Sequence, residues 1–344
     1  MDSSEPSIVN LRTIALKAGV SRSTVSLALR NDPRLSRQTI LKVQKIADAL
    51  GYHANPYIAA FQTYVRSGAK VPLHSTVAIL DVIPDRSQPE HVSFQRIFQG
   101  AKQRAMEQGF LTERFVLNQS AITARRLEQI LHTRKIEGVL IAPSPRPDHK
   151  VSGLDWSRYA CATIGYSLLT PYVHRASNHH FHSLRTVFRK LGEKGYRRIG
   201  VSLDEVTQHR VYGLFSAALL YEQSQLPAAQ CVPLVTPNGD EKVFRRWLRR
   251  HRPDAVVSDQ PRELDWMKSA GCKVPDDCGF AVLDWSENFA HCAGYDQMHD
   301  EVGAAAIDLI VVQLLRNSRG IPEHPRVLLL EGCWREGLTL MRGK

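Results

Sequence analysis

The 344-residue chain has no apolar stretch of membrane-spanning length. It also lacks a leader with the basic, apolar and small-residue regions of a secretion signal. A cytoplasmic protein with no membrane partner is expected. GxGxxG, GxxxxGKS/T and GxSxG motifs are missing, so nucleotide binding and hydrolase chemistry lack support. No enzyme activity and no cofactor are expected. The six cysteines (161, 231, 272, 278, 292 and 333) include no CxxC pair. Free, mostly buried thiols in a reducing compartment are therefore the expectation. Internal repeats and low-complexity tracts are absent. Acidic residues are scarce in one place above all. Between residues 7 and 70 only Asp32 and Asp48 stand against ten Lys and Arg, an excess of eight within a net charge of +11. Cations clustered in this way neutralise phosphates and release counterions, which favours a nucleic-acid partner.

Residues 10–31 carry a helix-turn-helix pattern. Asn10 can cap a first helix, whose apolar face is Leu11, Ile14, Ala15 and Ala18. Gly19 permits the positive backbone angle of a tight turn, and Val20 plugs the angle between the helices. Ser21 caps a second helix with Val25, Ala28 and Leu29 facing inward. Arg22, Ser23, Thr24 and Ser26 then occupy its outward, N-terminal part, where a recognition helix meets base edges in the major groove. Ser36 opens a third helix with Ile40, Val43, Ile46, Ala47 and Leu50 as its core face, and Gly51 closes it. Asn55 and Pro56 start a short apolar segment over 57–65, too short to be a stable helix alone in water. Arg66 to His74 reads as linker.

The remainder alternates apolar runs with amphipathic segments, which predicts an α/β body with parallel sheets. Strands are expected at 77–80, 138–142, 162–164, 199–201, 255–257 and 279–283. Helices are expected near 92–109, 123–134, 180–193, 210–224, 240–250, 260–270 and 297–317. Within 242–250 the basic residues alternate with Phe244, Trp247 and Leu248, so the run reads as a solvated helix face rather than a second DNA site. His174, His179, His180 and His182 crowd one helix start. Adjacent helical residues cannot both face one ion, so these are read as helix-cap or cleft-lining histidines and no metal is expected.

The order of parts resembles the lactose-repressor (LacI/GalR) family of bacterial transcription regulators. In the head the resemblance rests on Ala18-Gly19-Val20-Ser21, Thr24-Val25-Ser26, Ser36, Thr39, Val43, Leu50-Gly51-Tyr52 and Asn55. In the body it rests on Phe98-Gln99-Gly100-Ala101, Gln108-Gly109-Phe110, the stretch Leu191–Ile199, Arg210-Val211-Tyr212-Gly213-Leu214, Ser258-Asp259-Gln260, Val274–Asp277 and Asp284. It implies an all-α helix-turn-helix head (8–54), a hinge helix and linker (55–75), and a two-lobed, periplasmic-binding-protein-like body with doubly wound parallel sheets (76–344). The chain would cross between lobes near 172, return near 296 and cross again near 327. The resemblance further implies a homodimer on a pseudo-palindromic operator of double-stranded DNA, with paired hinge helices wedging Phe61, beside Ile58, into the minor groove.

Expected DNA contacts are Asn10, Ser21, Arg22, Ser23, Thr24, Ser26, Leu27, Arg34, Tyr52, Asn55, Ile58 and Phe61. Two departures from the family stand out. Thr13 replaces a usual Asp, and Leu27 a frequent Arg, so Leu27 is expected to touch a thymine methyl while Arg34 supplies a guanine contact. Arg210 and Asp284 are the leading expected contacts for a small, sugar-like effector, followed by Asp259, Phe94 and Trp285. An Arg fork and a carboxylate each bind vicinal hydroxyls, and an aromatic face stacks on a sugar ring. The alternative for Arg210 and Asp284 is a structural ion pair or a helix cap. Ser177-Asn178-His179-His180 replaces the Asp-Asn frequent in the family. The expected function is a DNA-binding regulator, a repressor, controlled by that effector. The alternative is the same architecture answering to a partner protein or to nothing.

Overall fold

The structure, a computed structural model, describes residues 11–29, 34–50, 75–81, 92–117 and 122–341. Asn10, Tyr52, Asn55, Ile58 and Phe61, with the expected hinge up to residue 74, lie outside the described residues. The chain divides into two units, a helical head and an α/β body.

The head has three helices, Leu11–Ala18, Arg22–Ala28 and Arg37–Ala49. Gly19 turns the chain at φ +68°, and the Val20 amide closes the turn on the Ala15 carbonyl at 3.1 Å. Ser21 and Ser36 cap the next two helices, accepting from the amides of Thr24 (3.1 Å) and Thr39 (3.2 Å). Ile14, Ala18, Val25, Ala28, Val43 and Ala47 form the buried centre, and Val20, Leu29, Leu35, Ile40, Ile46 and Leu50 pack around it.

The body holds two lobes. The first has strands β1 (Ser75–Asp81), β2 (Phe110–Val116) and β3 (Gly138–Ile141). A small parallel pair flanks it, β4 (His149–Lys150) with β6 (Leu168–Thr170), while β5 (Ala160–Ile164) and β7 (His174–Asn178) complete the chain's first pass. The second lobe has β8 (Ile199–Ser202), β9 (Ala255–Ser258), β10 (Gly279–Val282) and β11 (Ala293–Asp296). Two late strands finish the sheets, β12 (Val327–Leu330) in the first lobe and β13 (Cys333–Arg335) in the second. The first sheet runs β12-β7-β5-β3-β1-β2, all parallel. The second runs β13-β11-β10-β9-β8, parallel except for β13. Strands β3, β5 and β8 to β11 are buried along their whole length. Their near-continuous apolar runs reflect helices covering both faces of a parallel sheet.

Helix His299–Leu315 returns to the first lobe and packs on helix Val92–Glu107. Gly100 and Gly303 permit this approach, since a Cβ on either would overlap a carbonyl of the facing helix, that of Asp300 or Ile97. The chain crosses between lobes after Asn178, at Gln297–Met298 and at Glu331. The first crossing therefore lies beyond the expected position near 172, and the last beyond 327. The reason is that β7 and β12 still pair within the first sheet. The polar sequence of β7, His-Arg-Ala-Ser-Asn, conceals a strand whose central cation, Arg175, is only 2% exposed and lies near the rings of Tyr166 and Tyr172.

Candidate functional site

In the head, helix Arg22–Ala28 buries only Val25 and Ala28. Arg22 and Ser23 are exposed at its start, Thr24, Ser26 and Leu27 are half-buried, and Arg34 is exposed ahead of the third helix. Ser21 is occupied as a cap, and its hydroxyl also bonds those of Ser23 (2.7 Å) and Thr24 (2.8 Å). The arrangement offers a short polar surface on a helix whose rear is fixed by packing.

In the body, the lobes enclose a cavity of about 140 Å³. It lies outside the carboxyl ends of the strands, where open α/β sheets place ligands. Ser93 and Phe94 enter it from helix Val92–Glu107, and Gly165 and Tyr166 from the end of β5. Arg210, Asp259 and Asp284 enter from the second lobe. Asn178, His180, Gln297 and His299 come from the first two crossings. Four of the five expected effector contacts thus line one cavity.

Trp285 does not. Its indole N–H donates to the Cys292 carbonyl at 3.1 Å, its ring packs on the second lobe's core, and Arg335 stacks over it at 5.3 Å. The chain bends at Leu283–Asp284 just after β10, so Asp284 lines the cavity while Trp285 is committed to the second lobe's core.

Asp284 joins the lobes. Ser93 Oγ donates to one carboxylate oxygen at 2.7 Å, and His299 Nε2 lies 2.7 Å from the other. Arg210 ends helix Glu205–Arg210, and Gly213, at φ +65°, permits the break before helix Leu214–Ser224. The guanidinium sits 5.3 Å from the centre of the Phe94 ring. Its Nε is buried without a hydrogen-bond partner. No ion pair joins Arg210 to Asp284, so the structural pair weighed as the alternative does not form. Burial lowers the Arg210 pKa, while the charges of Asp284 and Asp259 oppose that shift.

Burial also pushes Asp259 up to about 6, against hydrogen bonds from Thr207 and Gln260. Beneath it, fully buried Glu263 accepts from Ser202 Oγ at 2.8 Å, and burial raises its carboxyl to about 8. His180 meets Phe215 edge-on at 5.0 Å. Burial lowers its pKa to about 3, helped by His299 and Arg210 and opposed by Asp284, so its ring is neutral. His179, not His180, caps helix His180–Glu193, accepting from the His182 amide at 3.3 Å.

The crossings are bonded together. Asn178 Nδ2 donates to the Gln297 carbonyl at 2.5 Å, and Gln297 Nε2 to the Leu283 carbonyl at 2.7 Å. The His179 amide donates to the Leu330 carbonyl at 2.8 Å. Residue-by-residue reading missed Ser93, His299 and Gln297. The available signal was their position: Gln297 and His299 directly follow a buried strand at a point where the chain leaves its lobe. Buried Arg210 Nε, His180 Nδ1 and His299 Nδ1 all lack protein partners. A polar solute that satisfies them recovers a desolvation cost of about 1–3 kcal/mol per group. Among the described residues no group of three His, Cys, Asp or Glu is placed to hold a metal ion, and no helix is long and apolar enough to cross a membrane.

The sequence profile described as "Bacterial regulatory proteins, lacI family" matches residues 10–55. The HTH-type transcriptional repressor CytR of Escherichia coli K12 is 28% identical over 137 residues, 40% of this chain and 36% of CytR. The match therefore spans about a third of that relative's length. The transcriptional regulator CelR, solved as a cellobiose complex, superposes with a TM-score of 0.58 at 20% identity, covering 96% of this chain and all of that one. The Lac repressor dimer, bound to operator and the anti-inducer ONPF, gives 0.55 at 15% identity over 97% and 99%. The likeness to these two structures is one of fold.

Proposed function

We propose that this chain belongs to the LacI family of bacterial regulatory proteins and is a cytoplasmic, dimeric, sequence-specific DNA-binding transcription regulator. It acts as a repressor and is controlled by a small sugar-like molecule in the body's cleft. Arg22 and Ser23 read base edges, with Thr24, Ser26, Leu27 and Arg34 around them. Two heads occupy successive major grooves of a pseudo-palindrome, about one helical turn apart.

The observation that carries the ligand reading is Arg210. Its side chain lines the cavity beside Asp284, Asp259 and the Phe94 ring, and its buried Nε has no hydrogen-bond partner in the protein. A polyol gives the guanidinium and carboxylates hydroxyls to bind and the ring an apolar face to cover. Cellobiose in the CelR complex supports the same class of ligand. The effector acts by linkage: it favours one lobe arrangement, and the coupling to DNA affinity is typically worth about 1–3 kcal/mol.

The test is a thermal-shift screen of carbohydrates and nucleosides on the full chain, followed by titration of the bound operator with each hit. A hit that raises the melting temperature, changes operator affinity and loses its effect in Arg210→Ala supports the reading. If no compound shifts the melting temperature, the ligand half of the proposal is lost, and the regulator answers to a partner protein or to nothing.

A further inference from the structure

Two costly features meet at one ring contact beside the cleft. Arg175, on β7, is 2% exposed, yet among the described residues it forms no ion pair, and its Nη2 is buried without a hydrogen-bond partner. A buried charge without a counterion is expensive to keep. Its Nη1 donates to the Gly165 carbonyl at 2.9 Å. Its guanidinium carbon lies 5.2 Å from the centre of the Tyr166 ring and 5.5 Å from that of Tyr172, within reach of a cation–π attraction. Gly165, at φ +68°, is where the chain turns out of β5. Arg175 therefore fixes both the turn and the ring that follows it. On the second lobe, Tyr212 holds φ +55°, a left-handed backbone that a bulky side chain adopts only under constraint.

The two tyrosine rings meet across the lobes. The centres of Tyr166 and Tyr212 lie 5.0 Å apart with the planes tilted by 37°, the spacing of an attractive aromatic pair. Tyr166 is half-buried and lines the cavity, whereas Tyr212 is 53% exposed and stands outside the lining. The pair thus runs from the cavity wall to solvent. We propose that Tyr166 and Tyr212 form an aromatic gate at the mouth of the cavity, with Arg175 as the positioning residue that holds the first-lobe ring in place.

The two rings divide the work. Tyr166 is the fixed leaf, backed by a buried cation. Tyr212 is the leaf that swings, since more than half of it faces solvent. A single aromatic pair is individually weak, so thermal motion parts the rings and lets a solute pass. Tyr212 lies in the same turn as Arg210, between helix Glu205–Arg210 and Gly213. One turn therefore presents a cation to the cavity and a ring to its mouth, which ties the gate to ligand contact. The gate rests on the reading of the cavity as a ligand site, but its test uses no ligand, so the two stand or fall separately.

The probe is diethyl pyrocarbonate, which ethoxycarbonylates imidazole, and peptide mass spectrometry of the full chain gives the rate at each histidine. His180 lines the cavity. His324, its side chain 90% exposed, reports the reagent, and His251, half-buried on the second lobe outside the cavity, reports general loosening. Tyr212→Ala should speed labelling of His180 roughly tenfold, the loss of one aromatic pair, with His324 and His251 unchanged. Tyr212→Phe keeps the ring and should label like the parent chain. Arg175→Met should speed His180 in the same direction as Tyr212→Ala, and an unchanged rate there removes Arg175 from the gate. Three results overturn the gate itself: an unchanged His180 rate in Tyr212→Ala, the same acceleration in Tyr212→Phe, or an equal rise at His251. Each leaves the ligand reading to its own screen.

Discussion

The head carries its candidate contacts outside a finished core, whereas the body carries them inside an unfinished one. Arg22 and Ser23 are solvent-exposed on a helix held by Val25 and Ala28. Among the described residues neither belongs to the head's buried core. Arg210, Asp259, His180 and His299 sit between lobes, several of their polar atoms are unsatisfied, and burial displaces three of their pKa values. A surface that meets a large charged polymer can leave its contacts hydrated until the encounter. A cavity that meets a small solute must desolvate its contacts beforehand, so its function is tied to stability and pH.

The contrast breaks most visibly on the outside. Arg22→Ala combined with Ser23→Ala should weaken binding to the specific operator by on the order of 1–3 kcal/mol per contact, with little effect on random duplex or on the head's melting temperature. Fluorescence anisotropy on both duplexes decides it, and equal losses would leave only phosphate contact. On the inside, Arg210→Ala should cost ligand affinity roughly a hundredfold, about 3 kcal/mol. The ligand-free melting temperature should hold or rise, because no ion pair is broken. A clear drop in that temperature would make Arg210 architectural.

Glu263→Gln sharpens the comparison through pH. The folded carboxyl titrates near 8 against about 4.5 in a free side chain, so the folded chain binds the proton more tightly. Its contribution is complete below about 4.5 and is lost as pH rises towards 8. Glu263→Gln should therefore stabilise the body at high pH, by at most about 5 kcal/mol at roughly 1.4 kcal/mol per pKa unit, and by little at low pH. Urea titrations at both ends of that window check this, and a pH-independent gain would refute it. The smallest effect is expected from Ser93→Ala. Loss of the lobe-joining bond to Asp284 should cost the body about 1 kcal/mol in the same assay.

What could be read from sequence follows the same division. The head's signals are local: Ser21 and Ser36 as caps, Gly19 as the turn, and apolar stripes at helical spacing all lie within forty residues. Buried strands of the body were legible as apolar runs, β1, β3, β5 and β8 to β10 among them. β7 was not, because its core contribution is Arg175, a cation that reads as surface until Tyr166 and Tyr172 flank it. The cleft was half legible. Charges at strand ends marked Asp259 and Asp284, and a motif marked Arg210. The partners of Asp284, Ser93 and His299, lie 191 and 15 residues away. Only the arrangement of the lobes brings them to Asp284. Trp285 was misread because adjacency along the chain is not adjacency in space.

The three crossings have a consequence for synthesis. β12 completes the edge of the first sheet and β13 that of the second, and Thr339 bonds both the Phe280 carbonyl and the Ala293 amide. A ribosome makes the chain from its N-terminus, at about 5–20 residues per second. The head can fold as soon as it emerges, yet neither lobe can be finished until residues 327–341 have left the exit tunnel. From the completion of β11 until then, the nascent chain therefore carries two sheets that each lack an edge strand. Any message cut short before that point would yield a body in which both sheets lack an edge strand.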